Sequence, residues 1–156
     1  MLQRIQTLFL VGVVVLGIMM FFFPVESFYS DSYTLKMYLY TIQNMTPGSD
    51  LQFGFTTTLP LLAINIAILG ISLYTIMKFK NRILQIKLVR FCMLLTMFMI
   101  VGIFFLYPQL IEKHVEGSTE FGFSAYLPLI SLLLLYMANR YIVKDERLVR
   151  SVDRLR

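Results

Sequence analysis

Four long stretches of this 156-residue chain carry no charged side chain, and they dominate its hydrophobic pattern. They are Ile5–Val25, Leu51–Met77, Phe91–Ile111 and Phe121–Asn139. A helix of about 20 residues crosses a hydrocarbon core of about 30 Å, whereas a soluble core helix of that length would show a polar face. The pattern therefore predicts an all-α integral membrane protein, built as a four-transmembrane-helix bundle.

The predicted segments follow from these stretches and from the polar residues between them. The single membrane domain, residues 1–156, is divided into transmembrane helices at 5–24, 57–78, 89–108 and 122–143, outer loops at 25–56 and 109–121, an inner loop at 79–88 and a tail at 144–156. The first apolar stretch is longer than the roughly 7–15 residues of a signal-peptide core, and it ends at Phe23-Pro24 instead of small residues. We therefore expect it to be the first transmembrane helix.

Two short segments are almost alike and indicate an internal repeat. LQFGFTTTLPLL at 51–62 and TEFGFSAYLPLI at 119–130 share Phe-Gly-Phe, a hydroxyl residue and Leu-Pro-Leu at the same spacing, and the ends of the first and third apolar stretches also match. We predict two helical hairpins, 1–80 and 81–145, related by an axis along the membrane normal. Gly54 would then correspond to Gly122, and Pro60 to Pro128. The alternative is that two points of membrane insertion converged on the same residue types.

The first outer loop has the composition of a small extracytoplasmic β element. Residues 32–45 are rich in Tyr, Thr, Leu and Ile, and TPGSD at 46–50 is a turn signal before 51–55, which together predict a β-hairpin. Apolar residues occupy both faces of the first strand, with Leu35, Met37 and Leu39 on one and Tyr38, Tyr40 and Ile42 on the other. One face is expected to rest on the helices and the other to meet lipid or a partner. Because a two-stranded hairpin is only marginally stable, Thr119–Phe123 is predicted to add a further strand.

The charges predict the orientation in the membrane. Twelve of the fourteen Lys and Arg residues lie on the side that holds both termini and the middle loop, and six of the nine acids lie on the other side. Cytoplasmic loops are enriched in Lys and Arg, so both termini are expected in the cytoplasm. The chain has 58% hydrophobic and only 15% charged residues, and most of its basic residues lie on one side. We therefore interpret its net charge of +5 as a topology signal. A nucleic-acid surface would need a binding motif, and we expect no nucleic-acid partner.

The sequence contains no recognisable constellation of catalytic or metal-binding residues. Ionisable side chains within a membrane usually mark a functional site, and the four apolar stretches contain none. The only histidine, His114, is in an outer loop, and the only cysteine, Cys92, cannot form an internal disulfide. No cluster has the spacing of a metal site, and no second histidine exists to hold a haem. We therefore expect no enzymatic activity, no cofactor and no metal.

Two sets of residues are candidates for contacts. In the second helix, the small residues Ala63, Ala67 and Gly70 form a stripe at i, i+4, i+7, which lets another helix approach closely. Asn65 could form a hydrogen bond to another helix. These four are the candidate helix-packing residues. In the tail, apolar residues continue a helical period among charges, and the candidate partner or lipid contacts there are Arg147, Leu148, Arg150, Val152, Arg154 and Leu155.

The tail can be interpreted in three ways. It could lie on the anionic inner leaflet, dock on a partner protein, or serve only as flanking charge for topology. Because the inner loop is also basic, we predict that the tail's three acids, Asp145, Glu146 and Asp153, pair with residues such as Lys80, Arg82 or Lys87. The tail arginines would then remain available for phosphate or for a partner.

The two ends of the chain resemble the signature ends of a known family. The start, MLQRIQTLFL, and the end, KDERLVRSVDRLR, are similar to those of small bacterial four-helix membrane proteins called domain of unknown function 4293, and YTL in the first outer loop fits a strand-like segment of that family. The resemblance covers the whole chain. It implies a bacterial inner-membrane protein and brings no activity, cofactor or catalytic residue. Because the recognisable parts include Gln3, Arg4, Gln6 and Asp145–Arg156, it favours a contact role for the cytoplasmic face.

Together these observations give two functional expectations. The first is a non-enzymatic accessory or scaffold protein of the bacterial cytoplasmic membrane, in contact with lipid and with a protein partner or other copies of itself, through its tail, its outer loops or both. The alternative is a small transporter or channel for a neutral or lipid-like solute. A subunit should co-purify with a defined partner, whereas a transporter should be recovered alone or as a homo-oligomer.

Overall fold

The computed structural model describes residues 3–30, 34–46, 54–78, 81–112 and 118–153, and it is mostly helical. Its helices are α1 (Gln3–Met19), α2 (Phe55–Met77), α3 (Arg82–Val101), α4 (Tyr107–Glu112) and α5 (Phe123–Asp153). A π-helical turn, Gly102–Leu106, joins α3 to α4. Its strands are β1 (Glu26–Tyr29), β2 (Thr34–Met37), β3 (Ile42–Asn44) and β4 (Ser118–Phe121).

The four longer helices form one bundle in which each contacts two others. The contacts run from α1 to α2, from α2 to α3, from α3 to α5 and from α5 back to α1. Most of the buried side chains are apolar, including Leu10, Val13, Leu61, Ile68, Met99, Leu135 and Ile142. Polar side chains such as Asn65, Ser72 and Thr96 are buried among them. The outer faces are apolar as well, with large exposed side chains such as Leu8, Ile66, Met97, Phe98 and Leu133. A helix that is apolar all round is typical of a membrane span.

Three helical segments within the described residues are long and apolar enough to cross a membrane: Thr56–Met77, Arg82–Ile111 and Phe123–Val149. The apolar part of α1, Ile5–Met19, is shorter than predicted for a fourth span. The helix ends there because the chain tightens, with Phe21 N donating to Ile18 O at 3.1 Å and Phe22 N to Met19 O at 3.0 Å. Pro24 follows, and proline cannot donate the backbone hydrogen bond that a continued helix needs.

A four-stranded antiparallel sheet lies at one end of the bundle, in the order β3-β2-β1-β4. Of the two apolar faces in the predicted strand, the one that is buried is that of Leu35, Met37 and Leu39, which are fully buried. The predicted contribution from the second hairpin is confirmed, because β4 pairs with β1. We call this end the sheet end. The opposite end, where α1 and α3 begin and α2 and α5 finish, is the basic end.

The predicted second strand of the hairpin, 51–55, is wrong at its end, because Phe55 begins α2. Its residues 51–53 lie outside the described structure. The predicted first strand is divided into β2 and β3 by a tight turn, in which Tyr38 N donates to Thr41 O at 2.8 Å. The inner strand β1, which pairs on both sides, was not predicted.

The two repeated segments begin their helices in the same way. Gly54 caps α2 and Gly122 immediately precedes α5, and Pro60 and Pro128 occupy the same position in the two helices. In each copy the glycine carbonyl accepts a first-turn hydrogen bond, from Thr57 N at 3.0 Å or from Ala125 N at 3.1 Å. The local geometry is therefore repeated. Superposition of the whole hairpins about a membrane-normal axis stays a prediction.

The other predicted match, between the ends of the first and third apolar stretches, does not extend to their structures. The first stretch leaves its helix at Met19, and Pro24 precedes a strand. The third stays helical through Pro108, because the π-helical turn, closed by Tyr107 N and Gly102 O, carries the chain into α4. Similar sequences thus end differently where their tertiary neighbours differ.

Candidate functional site

The basic end of the bundle is organised around Asp145 of α5. Gln6 Nε2, near the start of α1, donates a hydrogen bond to the Asp145 carboxylate. Arg82 Nη1, at the start of α3, donates to the Asp145 backbone carbonyl at 3.1 Å. Asp145 therefore marks the level at which α1 and α3 begin.

The helix α5 continues past this level to Asp153. At about 1.5 Å per residue, the part of α5 that follows Asp145 is roughly 12 Å long. Within it, the side chains of Leu148 and Val149 are 52% and 43% exposed, and Arg147 is exposed. The continuation of the helix agrees with the predicted tail. Its other candidate residues cannot be placed, because the side chains of Arg150 and Val152, and the whole of Arg154 and Leu155, lie outside the described structure.

The predicted pairing of Asp145 with Arg82 takes a different form in the structure. Arg82 does meet Asp145, but through the backbone carbonyl, while the carboxylate accepts from the neutral amide of Gln6. The amide provides a donor without adding charge to a surface that is already basic. Lys80 and the side chain of Asp153 lie outside the described residues, so their predicted pairing is not placed.

A surface cleft of about 860 Å³ lies beside the outer face of α5, just below this level. It is lined by four basic side chains and by apolar and aromatic ones, among them Arg90, Arg140, Tyr141, Lys144, Arg147 and Leu148. No acidic side chain lines it among the described residues. The ring of Tyr141 stacks on Phe9 of α1, with centroids 5.5 Å apart and an angle of 22°, so this part of α5 is held against α1.

Asn65 of α2 forms a hydrogen bond within the bundle. It is 2% exposed, and its Nδ2 donates to the Gly17 carbonyl of α1 at 3.1 Å. Gly17 lies in the last turn of α1, where carbonyls have no partner within the helix. A Cβ at Gly17 would lie 2.8 Å from Leu69 Cδ2, so glycine permits this close approach of α1 and α2.

The predicted small-residue stripe does not lie between helices of this chain. Ala63 and Gly70 are exposed on the outer face of α2 and Ala67 is half-buried. A Cβ added at Gly70 would meet nothing within 4 Å among the described residues. Close approach of a neighbouring helix across this face stays a prediction.

The sheet end contains a buried carboxyl group that sequence reasoning missed. Glu26 begins β1, outside the helical spans, and is 0% exposed. It lies between Met37 and Phe121 in the sheet register, and neither carboxyl oxygen has a hydrogen-bond partner among the described residues. Burial raises the pKa of Glu26 to about 8, because desolvation disfavours the charged form. Ser124 Oγ, in the first turn of α5, is likewise buried without a partner.

The described residues contain no group of three or more His, Cys, Asp or Glu side chains that could hold a metal ion. The structure as a whole is a helical bundle with three membrane-length helices, a small antiparallel sheet at one end and a projecting basic helix at the other. The chain matches the family described as Domain of unknown function (DUF4293) over residues 2–155, and it belongs to that family. No curated protein and no solved structure matches it.

Proposed function

We propose that this protein is a non-enzymatic accessory or scaffold protein of the bacterial cytoplasmic membrane, which contacts a partner protein through the projecting end of α5. The four longer helices would all span the bilayer, with the basic end and both termini in the cytoplasm. The sheet would then lie on the outer surface. The arrangement of the bundle supports two parts of this proposal, the topology and the contact through α5.

The topology is supported by length and charge. The 17 residues of α1 extend about 25 Å, and apolar residues 20–23 continue toward the sheet, which brings the first segment close to the roughly 30 Å of a hydrocarbon core. Basic side chains of α3 and α5, including Lys87, Arg90, Arg140 and Lys144, lie toward the basic end. Such an excess is typical of the cytoplasmic side.

The single observation that carries the proposed contact is the projection of α5 beyond Asp145. A helix that only anchored a span could end with the bundle, whereas this one continues for about two turns with Leu148 and Val149 exposed among charges. Exposed apolar residues rimmed by charged ones are typical of an interaction surface. Because Arg147 is exposed beside them, the partner surface is expected to combine an apolar patch with acidic side chains.

Purification from native membranes in mild detergent tests the proposal. The full chain should co-purify in fixed stoichiometry with a defined protein, and L148S/V149S should lose that protein while remaining in the membrane. The matched control is M45S, because Met45 is also 52% exposed but lies at the sheet end. Loss of the partner with M45S alone would move the contact to the sheet. Recovery of the wild type only as a homo-oligomer, with solute uptake into vesicles, would favour the transporter alternative.

A further inference from the structure

We propose that the cleft at the basic end is a binding site for the headgroup of an anionic phospholipid, with Arg90, Arg140 and Lys144 contacting the phosphate. This inference rests on the membrane orientation proposed above and on no protein partner. None of these three residues lies in the projecting turns, although Arg147 and Leu148 of those turns also line the cleft.

The charges that converge on the cleft come from two helices. Arg90 belongs to α3, while Arg140 and Lys144 are four residues apart on α5 and therefore lie on one side of it. The nearest acid along α5, Asp145, has its carboxylate bonded to Gln6. With no acidic side chain lining the cleft among the described residues, the positive charge there is not balanced by the wall of the cleft.

The chemistry of these side chains favours a phosphate group. Guanidinium groups present several N–H donors in a plane and bind phosphate oxygens in pairs, and lysine adds a compact positive charge. The volume of about 860 Å³ is within the range of roughly 300–1,000 Å³ found for small-molecule sites.

The depth of the cleft favours a lipid over a soluble anion. It lies where the apolar part of α5 gives way to its charged part, just below the level at which α1 and α3 begin. Its lining also contains the apolar side chains Met137, Val143 and Leu148. A phosphate bound by the basic residues would thus have apolar surface beside it for an acyl chain. Basic pockets at the cytoplasmic side of membrane helices bind lipid headgroups in this manner.

A general attraction between positive charge and the inner leaflet would involve all basic residues at this end. Lys78 and Lys87 provide the comparison, since both are exposed at the basic end and neither lines the cleft. A site predicts that only the lining residues set the lipid preference. A diffuse attraction predicts that substitutions of lining and of non-lining basic residues reduce the lipid preference equally.

The experiment uses the full chain in bilayer discs of phosphatidylcholine that contain a minor fraction of phosphatidylglycerol, with native mass spectrometry counting the lipids retained after release from the disc. The wild type and K78Q/K87Q should retain phosphatidylglycerol over phosphatidylcholine by at least about tenfold, equivalent to 1.4 kcal/mol. The variant R140Q/K144Q, which removes the same formal charge, should fall toward equal retention.

The proposed site would be overturned if both double variants lost the preference for phosphatidylglycerol equally, or if R140Q/K144Q kept it. Displacement of phosphatidylglycerol by an equal concentration of inorganic phosphate would also overturn it, because the cleft would then be a soluble-anion site. Reconstitution is scored separately, by protease access to the two ends. If the wild type does not insert into the bilayer with its basic end on one side, the proposed membrane function fails as well. If it inserts normally without lipid preference, only the present inference fails.

Discussion

Replacing Glu26 by glutamine should remove most of the pH dependence of this protein's stability between about pH 4.5 and pH 8. The carboxyl group is fully buried with no hydrogen-bond partner among the described residues. Its pKa is raised from 4.5 to about 8 by burial. The folded state therefore holds a proton that the unfolded state releases at lower pH.

The sign and the size of the change in unfolding free energy with pH follow from this difference in pKa. The stability contributed by neutral Glu26 is fully present below about pH 4.5 and is lost as the pH rises through about 8, above which it changes no further. Each pKa unit corresponds to 1.36 kcal/mol, so the full change is on the order of 5 kcal/mol, and about 3 kcal/mol is already lost at pH 7. For a chain of this size, 3 kcal/mol corresponds to a shift of the unfolding temperature of roughly 6–12 °C.

Thermal unfolding of the wild type, E26Q and E120Q would be followed at pH 5, 6, 7 and 8 in one detergent and at one heating rate. Glu120 is the matched control, because it lies on the adjacent strand β4 and is exposed. The wild type and E120Q should lose stability as the pH rises, whereas E26Q should vary little. The amide has its own burial cost, so the comparison is between slopes. A profile of E26Q that runs parallel to the wild type would refute the argument.

The helices could be predicted because each depends on local pattern, and long uncharged stretches predicted every helix of the bundle. The sheet was predicted only in part. Both faces of the predicted strand are apolar, so the pattern did not decide that the side of Leu35, Met37 and Leu39 is the buried one. The end of α1 could not be predicted in the same way. Its sequence resembles the end of the third stretch, but the strand that follows Pro24 is held by β2 and β4, which come from distant parts of the chain.

The buried Glu26 and the basic cleft could not be predicted either, because both depend on contacts between distant parts of the chain. Glu26 is one of several acids on its side of the chain, and only its pairing with Met37 and Phe121 shows that it is buried. The basic residues were predictable as a topology signal. That Arg90 lines the same cleft as Arg140 depends on how α3 packs against α5.

Three substitutions and one deletion test the architecture further. Gly122→Ala should destabilise the protein by at least about 1–3 kcal/mol, since a Cβ there would lie 2.4 Å from Pro24 O. Gly54→Ala in the other repeat should cost little, because among the described residues its Cβ would meet only Thr56 Oγ1, at 3.3 Å. Equal thermal shifts in the two variants would contradict this. Asn65→Ala should cost about 0.6–1.7 kcal/mol by removing the bond to the last turn of α1, and an unchanged unfolding temperature would show that the bond adds nothing. Deletion of 146–156 retains Asp145, which holds the starts of α1 and α3, so the shortened protein should insert and unfold at nearly the wild-type temperature while failing to complement a null strain. Because the projecting turns lie beyond the bundle, their loss should remove the partner contact, and with it Arg147 and Leu148 from the wall of the cleft, while the bundle stays folded. Full complementation would exclude the projection from the mechanism, and failure to insert would show that its charges serve topology.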